Sequence, residues 1–178
     1  MSAPKRSGVE SWPPGALTAG LAIIVLVVDQ VAKAWARQTL PTHLAGAPSI
    51  LDGWFSLVLT TNNGAAFGLL GGSDLLLVVV GLVLCAVMAV YAHLPSRTPL
   101  LQVSLGLQLG GAISNLTDRL RIGHVVDFIQ IQFWPVFNPA DSAIVCGVGL
   151  LAYYLLFTPD PDRSSADHPP TRVPGGGG

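Results

Sequence analysis

The stretch that decides the fold runs from Leu75 to Ala92 and reads LLLVVVGLVLCAVMAVYA, 18 residues without a formal charge. A helix rises about 1.5 Å per residue, so such a run nearly crosses the roughly 30 Å of hydrocarbon in a bilayer. Three other segments are comparably apolar, and the four predicted spans are 15–36, 75–93, 98–117 and 139–158. The sequence therefore predicts an all-α membrane protein with four transmembrane helices.

Composition supports this class. The chain has 178 residues, of which 51% are apolar and 11% charged, whereas ordinary soluble domains carry about 25% charged residues. Nine basic and ten acidic residues form no basic patch, so we expect no nucleic-acid partner. Cys85 and Cys146 fall inside predicted spans and the four histidines are scattered, so we expect no metal site and no cofactor.

Outside the spans, one region has strand character. The segment Gly53–Thr61 is rich in aromatic and β-branched residues and ends in the turn signal Asn62-Asn63-Gly64, which predicts short strands at the membrane surface within about 40–72. Residues 118–137 are expected to form a polar loop. The tail 159–178 has too few apolar residues to fold and is predicted to be disordered, leaving 1–158 as a single membrane-embedded domain.

Charge only weakly indicates the orientation. Four spans place both termini on one side together with the turn around Pro95, giving that side five Lys or Arg residues against four on the other. The four are Lys33, Arg37, Arg119 and Arg121, which lie close to Asp29 or Asp118 in the sequence, so we interpret them as part of a site rather than as topology signals. This favours cytoplasmic termini and an outward-facing site.

Two aspartates have contrasting local settings. Asn138 is a preferred N-cap and Pro139 suits the first helical position, so Asp141 falls third in the fourth span, where free amides favour a carboxylate. Asp127 lies between two valines and Phe128, an apolar setting that raises a carboxyl pKa. Taken singly, Asp141 is explained by a helix start and Asp127 by a loop carboxylate satisfied by backbone amides.

Taken together, Asp127 and Asp141 suggest an acid and a base. Two carboxyl groups within about 3 Å cannot both ionise, so the proton then belongs to the pair. The ionised member activates a water and the protonated member polarises a carbonyl. The hypothesis is amide hydrolysis without a metal.

Other polar residues in the apolar runs have simpler explanations. Asn115, Asp118 and Arg119 share a helical face, and we expect them to support the Asp127 segment rather than react. Asp29 and Lys33, four residues apart, either pair with each other or bind a polar substrate group.

Read in order, these segments resemble those of the lipoprotein signal peptidase (signal peptidase II) family. The matching blocks are Asp29-Gln30-Val31-Ala32-Lys33, Asn62-Asn63-Gly64-Ala65-Ala66-Phe67-Gly68, the run from Gly110 to Arg119, Val125-Val126-Asp127-Phe128, and Phe137-Asn138-Pro139-Ala140-Asp141-Ser142. The resemblance implies a bacterial aspartic peptidase with four membrane helices and a small β-cradle at the extracytoplasmic surface. Such enzymes remove the signal peptide of a prolipoprotein just before its diacylglyceryl-modified cysteine.

The resemblance also implies residue roles. It makes Asp127 and Asp141 the catalytic pair and gives Asp118 a structural role. The other matching positions shape or support the site: Asp29, Lys33, Asn62, Gly64, Asn115, Arg119, Asn138 and Ala140. Ser114 stands where relatives usually carry glycine, Thr61 where many carry arginine, and the link from Asp127 to Asp141 is shorter than is common. The implied partners are diacylated prolipoproteins and membrane lipids, with the protein as a monomer in the cytoplasmic membrane.

Two other functions fit the residues without the resemblance. A small membrane transporter or lipid-binding module would use Asp29, Lys33, Asp118 and Asp127 as a polar intramembrane site. A scaffold would use the surface strands to dock partner helices. Cleavage of a diacylated precursor distinguishes the peptidase from both.

Overall fold

The computed structural model describes residues 15–43, 47–50, 53–63, 74–93 and 98–158. In this part of the chain there are four helices and three strands, which in chain order are α1 Ala16–Thr39, β1 Ser49–Ile50, β2 Phe55–Asn62, α2 Asp74–His93, α3 Pro99–Ile122, β3 Val125–Ile131 and α4 Pro139–Phe157. A helix is present at each of the four predicted spans. Gly64, the turn around Pro95 and the tail 159–178 lie outside the described residues.

The third helix is longer than expected. The prediction ended it at residue 117, but α3 continues to Ile122 because Asn115 and Asp118 are buried on its inner side instead of ending the helix. It stops at Gly123, whose φ of 80° is readily adopted only by glycine and whose N–H donates to the Arg119 carbonyl. The predicted polar loop 118–137 is therefore wrong, because this segment contains the end of α3 and all of β3.

The three strands form one antiparallel sheet in the order β1-β2-β3. Thr60 pairs with Asp127 and Asn62 with Val125, after an irregularity in the register between Leu57 and Thr60. The prediction confined strands to about 40–72 and so missed β3. Its first four residues are all buried, which removes the alternation of apolar and polar residues that marks a half-exposed strand.

Helix α3 is central and packs against α1, α2 and α4. Glycines make two of these contacts close: a Cβ on Gly110 would lie 2.6 Å from the Ala22 carbonyl oxygen of α1, and one on Gly111 would lie 2.5 Å from the Ala140 carbonyl oxygen of α4. Small residues at helix crossings allow backbones to approach closely, as is common in membrane proteins. The helix ends that carry the polar residues are thereby brought together.

The distribution of polarity is reversed compared with a soluble domain. The buried set includes Thr18, Asp29, Lys33, Ser104, Ser114, Asn115, Asp118, Asp127 and Asn138, whereas large apolar side chains on the outside of all four helices are exposed. Among the described helices, α1 and α4 are long and apolar enough to cross a membrane by length and hydropathy. Helix α3 carries the buried polar residues on one side, which lowers its average hydropathy.

Candidate active site

Asp127 is the buried member of the predicted pair. It lies on β3 opposite Thr60 of β2 and is 1% exposed. Two amide side chains donate to its carboxyl oxygens: Asn62 Nδ2 lies 3.0 Å from Oδ2, and Asn138 Nδ2 lies 2.7 Å from Oδ1. The sheet thus brings Asn62 to one side of the carboxyl group, and the start of α4 brings Asn138 to the other.

The environment raises the pKa of Asp127 from its ordinary 3.8 to about 6. Burial is the main cause, because it penalises the charged form, and the nearby Asp141 carboxylate adds to the effect. The hydrogen bonds from Asn62 and Asn138 and the charge of Lys33 oppose the increase. A carboxyl group with this pKa exists in both protonation states close to neutral pH, as an acid catalyst requires.

Asp141 is half-buried and occupies the third position of α4, as predicted. A capping box forms: the Asp141 N–H donates to Asn138 Oδ1 over 2.9 Å, and the Asn138 N–H donates to Asp141 Oδ2 over 3.2 Å. Asn115 Nδ2 donates to Asp141 Oδ1 over 2.7 Å. Each carboxyl oxygen of Asp141 therefore accepts one hydrogen bond, Oδ1 from Asn115 and Oδ2 from the Asn138 backbone.

Asn138 links the two aspartates. Its side-chain Nδ2 donates to Asp127, and its backbone N–H donates to Asp141. The same Nδ2 is 3.1 Å from Asn115 Oδ1, so Asn115 and Asn138 are joined to each other as well as to the carboxyl groups. The local arrangement places both carboxyl groups around one pair of asparagines; a proton shared directly between them stays a prediction.

Behind this pair lies a buried charged centre around Lys33. Its Nζ is 2.7 Å from Asp29 Oδ2, 2.9 Å from Asp118 Oδ2 and 2.9 Å from Asn115 Oδ1, which occupies the three donors of the ammonium group. The structure has the Asp29–Lys33 pair expected from the four-residue spacing, and it adds Asp118 from α3. Two carboxylates against one ammonium leave one formal negative charge.

Each of these supporting carboxylates also holds a backbone amide of the site. Asp29 Oδ1 accepts the Ala140 N–H over 2.9 Å, and Asp118 Oδ2 accepts the Val126 N–H over 3.2 Å. Ala140 directly precedes Asp141, and Val126 directly precedes Asp127. Ala140 therefore takes part in the site through its backbone N–H, which donates to Asp29, and not through its methyl group.

Two predicted residues are not joined to this cluster. Arg119 is half-buried, and within the described part of the chain its side chain makes no hydrogen bond or ion pair. Gly64 lies outside the described residues. Across the described ranges, no group of three or more His, Cys, Asp and Glu side chains is arranged to hold a metal ion.

Sequence reasoning did not include Gln30 and Ser114 among the site residues. Gln30 Nε2 donates to Asp118 Oδ1 over 2.9 Å and to Ser114 Oγ over 3.0 Å, and Ser114 Oγ donates to Asp29 Oδ2 over 2.7 Å. Helical spacing was the available signal, because Ser114 and Asp118 are four residues apart on α3. Gln30 follows Asp29 directly and had no comparable signal.

Comparison with known proteins places this geometry in a family. Residues 21–157 match the family described as signal peptidase (SPase) II. The chain is 45% identical over 137 residues to the lipoprotein signal peptidase of Moorella thermoacetica, covering 76% of this chain and 90% of that protein. It is 47% identical over 143 residues to the lipoprotein signal peptidase of Pelotomaculum thermopropionicum, covering 80% and 91% respectively.

A solved structure has the same fold. A bacterial membrane enzyme determined by the in meso method at 1.9 Å resolution superposes with a TM-score of 0.72 and 27% identity, covering 80% of this chain and 94% of that one. The family match extends from α1 to the last residue of α4 and includes every residue of the cluster. The chain therefore belongs to the signal peptidase II family.

Proposed function

We propose that this chain is an aspartic endopeptidase that removes the signal peptide from diacylglyceryl-modified prolipoproteins, cleaving before the lipidated cysteine. Its relatives are lipoprotein signal peptidases, which supports this substrate class. The observation that carries the proposal is the contact of Asn138 with both Asp127 and Asp141. It holds a carboxyl group with a raised pKa beside a carboxylate stabilised at a helix start.

In the proposed reaction, Asp141 is the base and Asp127 the acid. Asp141 takes a proton from water as the water oxygen bonds to the scissile carbonyl carbon, and Asp127 gives its proton to the carbonyl oxygen. In the second step the C–N bond breaks: Asp141 returns its proton to the leaving nitrogen, and Asp127 recovers one from a hydroxyl of the diol intermediate. The two steps together consume one water and return both carboxyl groups to their starting protonation states.

The contacts suit these roles. Asp141 accepts hydrogen bonds from Asn115 and from the Asn138 backbone, which stabilise the anion needed to accept a proton. Burial of Asp127 favours the protonated form needed to donate one. Asp29, Lys33 and Asp118 are proposed to hold the surrounding backbone without touching the substrate.

We propose that residues 1–158 form one membrane domain with four spanning helices. The helices have 24, 20, 24 and 19 residues, which correspond to about 28–36 Å at about 1.5 Å per residue. Exposed apolar side chains on α1, α2 and α4 support contact with membrane lipids. The monomer is inserted in the bacterial cytoplasmic membrane with both termini in the cytoplasm and the site facing outward.

This topology suits the proposed substrate. A signal helix and acyl chains arrive laterally from the bilayer, whereas water arrives from outside, and a site at the outer helix ends is accessible to both. Burial of apolar surface at roughly 25 cal/mol per Å² then supplies most of the binding free energy. The two aspartates are left to perform the hydrolysis.

The test is cleavage of a purified diacylated precursor by the variants Asp127→Asn and Asp141→Asn. Each is expected to lower the cleavage rate by about a thousandfold or more, because neither amide exchanges the required proton. Asp160→Asn, which makes the same chemical change after the end of α4, is the matched control and is expected to retain activity. Both site variants are expected in the membrane fraction at wild-type abundance.

Normal processing by either site variant would disprove the aspartic mechanism. A wild-type protein that binds the precursor without cleaving it would instead favour the lipid-binding or scaffold alternatives.

A further inference from the structure

We propose that Gln30 and Ser114 are positioning residues that set the placement of Asp127 relative to Asp141. The inference rests on the proposed function and deepens it. The two side chains form a hydrogen-bonded relay from α1 to α3, and this relay connects the two carboxylates that hold the backbone of the site.

Asp29 and Asp118 hold the backbone of the site in the same way. Asp29 accepts the N–H of Ala140, the residue before Asp141, and Asp118 accepts the N–H of Val126, the residue before Asp127. A shift of either supporting carboxylate therefore moves the peptide unit that carries a proposed catalytic group. The separation of the two catalytic groups depends on the separation of the two supports.

Gln30 and Ser114 connect these two supporting carboxylates. Gln30 Nε2 donates to Asp118 Oδ1 and to Ser114 Oγ, and the Ser114 hydroxyl donates onward to Asp29 Oδ2. Gln30 Nε2 is also 3.4 Å from the Ser114 carbonyl oxygen. The donor directions are consistent along the relay, because the hydroxyl accepts one hydrogen bond and donates another.

Lys33 alone does not fix the positions of the two supporting carboxylates. Its ammonium group attracts both carboxylates, but it is a compact charge on a flexible four-carbon stem. An amide group and a hydroxyl group have directional donors and fix carboxylate orientation as well as distance. Lys33 thus balances the negative charge. Gln30 and Ser114 orient the carboxylates of Asp118 and Asp29, and this orientation determines how each accepts its backbone N–H.

The relay is buried at Ser114 and half-buried at Gln30, with all its donors and acceptors on α1 and α3. It does not touch Asp127 or Asp141, so its loss is expected to disturb geometry without removing a reacting group. Small displacements of catalytic groups slow the chemical step more than they weaken substrate binding. The expected signature is a lower kcat with little change in KM.

The experiment compares Gln30→Leu, Ser114→Ala and the double variant in cleavage of a synthetic diacylated precursor by purified protein. Ser104→Ala is the matched control, because Ser104 is also a buried serine of α3 but its Oγ has no hydrogen-bond partner among the described residues. We expect each relay variant to lower kcat about three- to tenfold with KM within about twofold, and the control to match wild type. The double variant is expected to resemble the more severe single variant, because both substitutions interrupt one relay.

A second measurement does not depend on turnover. Titration of isotopically labelled aspartate carboxyl groups by carbon NMR is expected to move the Asp127 transition of Gln30→Leu toward the ordinary aspartate range, as the site loosens and admits water. Ser104→Ala is expected to titrate as wild type does.

Unchanged kcat in Gln30→Leu and Ser114→Ala, a change confined to KM, or additive losses in the double variant would each overturn the relay. Failure of the proposed function is distinguishable, because it appears as an absence of cleavage by wild type or as normal cleavage by Asp127→Asn or Asp141→Asn. In that case the titration decides: an unchanged Asp127 transition overturns the relay, and a shifted one supports it.

Discussion

The two halves of α3 both bury polar side chains, but they satisfy them differently. Around Ser114, Asn115 and Asp118, side chains from α1, α3 and the start of α4 bond to one another. In the other half, Gln108 donates to the carbonyl of Ser104 one turn away, and Ser104 Oγ has no hydrogen-bond partner within the described ranges. The same helix thus has one half with charged side chains bonded between helices and one half with neutral side chains bonded to backbone carbonyls.

This difference separates buried polarity that positions a site from buried polarity that accompanies helix packing. Removing a neutral side chain that is hydrogen-bonded to a backbone carbonyl costs the protein little stability. A charge held among opposite charges in a water-poor interior leaves its partners unpaired when it is removed. The following predictions use this contrast.

Lys33→Met is expected to be the most damaging substitution for stability, with a loss of about 3–5 kcal/mol, because Asp29 and Asp118 would face each other without a cation. Thr18→Val is the comparison in the other half. Thr18 Oγ1 donates to the Gln102 carbonyl, so its loss is expected to cost about 1 kcal/mol. Thermal and denaturant unfolding in detergent measures both.

Equal losses of unfolding free energy in Lys33→Met and Thr18→Val would contradict the proposed difference between the two halves of α3.

Gly111→Ala is expected to destabilise the protein by about 1–3 kcal/mol, because its Cβ would lie 2.5 Å from the Ala140 carbonyl oxygen. The clash also pushes the start of α4 away from α3, so cleavage activity should fall with stability. Gly149→Ala is the control, since a Cβ there has no heavy atom within 4 Å. The control is expected to be neutral or slightly stabilising, because alanine favours helix.

The dependence of kcat/KM on pH tests the charged half directly. Asp127 must be protonated to act as the acid, and its raised pKa of about 6 means that kcat/KM falls about tenfold per pH unit above that value. Below it, Asp127 remains protonated, so the alkaline limb is expected to level off there. The measurement is a profile from about pH 4 to about pH 9 with purified protein.

Asn62→Leu sharpens this test. The hydrogen bond from Asn62 lowers the pKa of Asp127, so its removal should move the alkaline limb to higher pH. An alkaline limb unaffected by this variant would show that another group limits the rate. The raised pKa also makes folding stability depend on pH. The stabilising contribution of Asp127 is fully present below its ordinary pKa of 3.8 and is lost as pH rises through about 6.

Ser104→Ala is expected to have the smallest effect, within about 0.5 kcal/mol of wild-type stability, because in the part of the chain that the structure describes its buried hydroxyl has no partner to lose. Ser114→Ala removes two hydrogen bonds and should cost about 1–2 kcal/mol. The pair of serine variants compares the two halves of α3 with identical chemistry. A larger loss from Ser104→Ala would show that the neutral half is also tightly coupled.

Local patterns in the sequence predicted the local parts of this structure. The start of α4 followed from Asn138, Pro139 and Asp141, because a helix cap is decided within four residues. The Asp29–Lys33 contact followed from spacing on one helix. All four helices followed from apolar runs of sufficient length.

What the sequence did not predict depends on packing between distant segments. Strand β3 forms because Asn62 and Thr60 of β2 pair with Val125 and Asp127, more than sixty residues away. The contact of Lys33 with Asp118 requires α1 and α3 to approach closely, and no spacing rule within one helix indicates it. The bond from Asp29 to Ala140 likewise exists only in the assembled bundle.

The capping box has a further consequence. Asp141 Oδ2 accepts a hydrogen bond from the N–H of Asn138, the N-cap residue of α4. The carboxyl group proposed to take a proton from water therefore also caps the helix. Each turnover that protonates Asp141 would briefly loosen this closure, and each proton return would restore it. In the proposed mechanism, catalysis and helix initiation therefore share a single carboxyl group, so a substitution that changes one is expected to change the other.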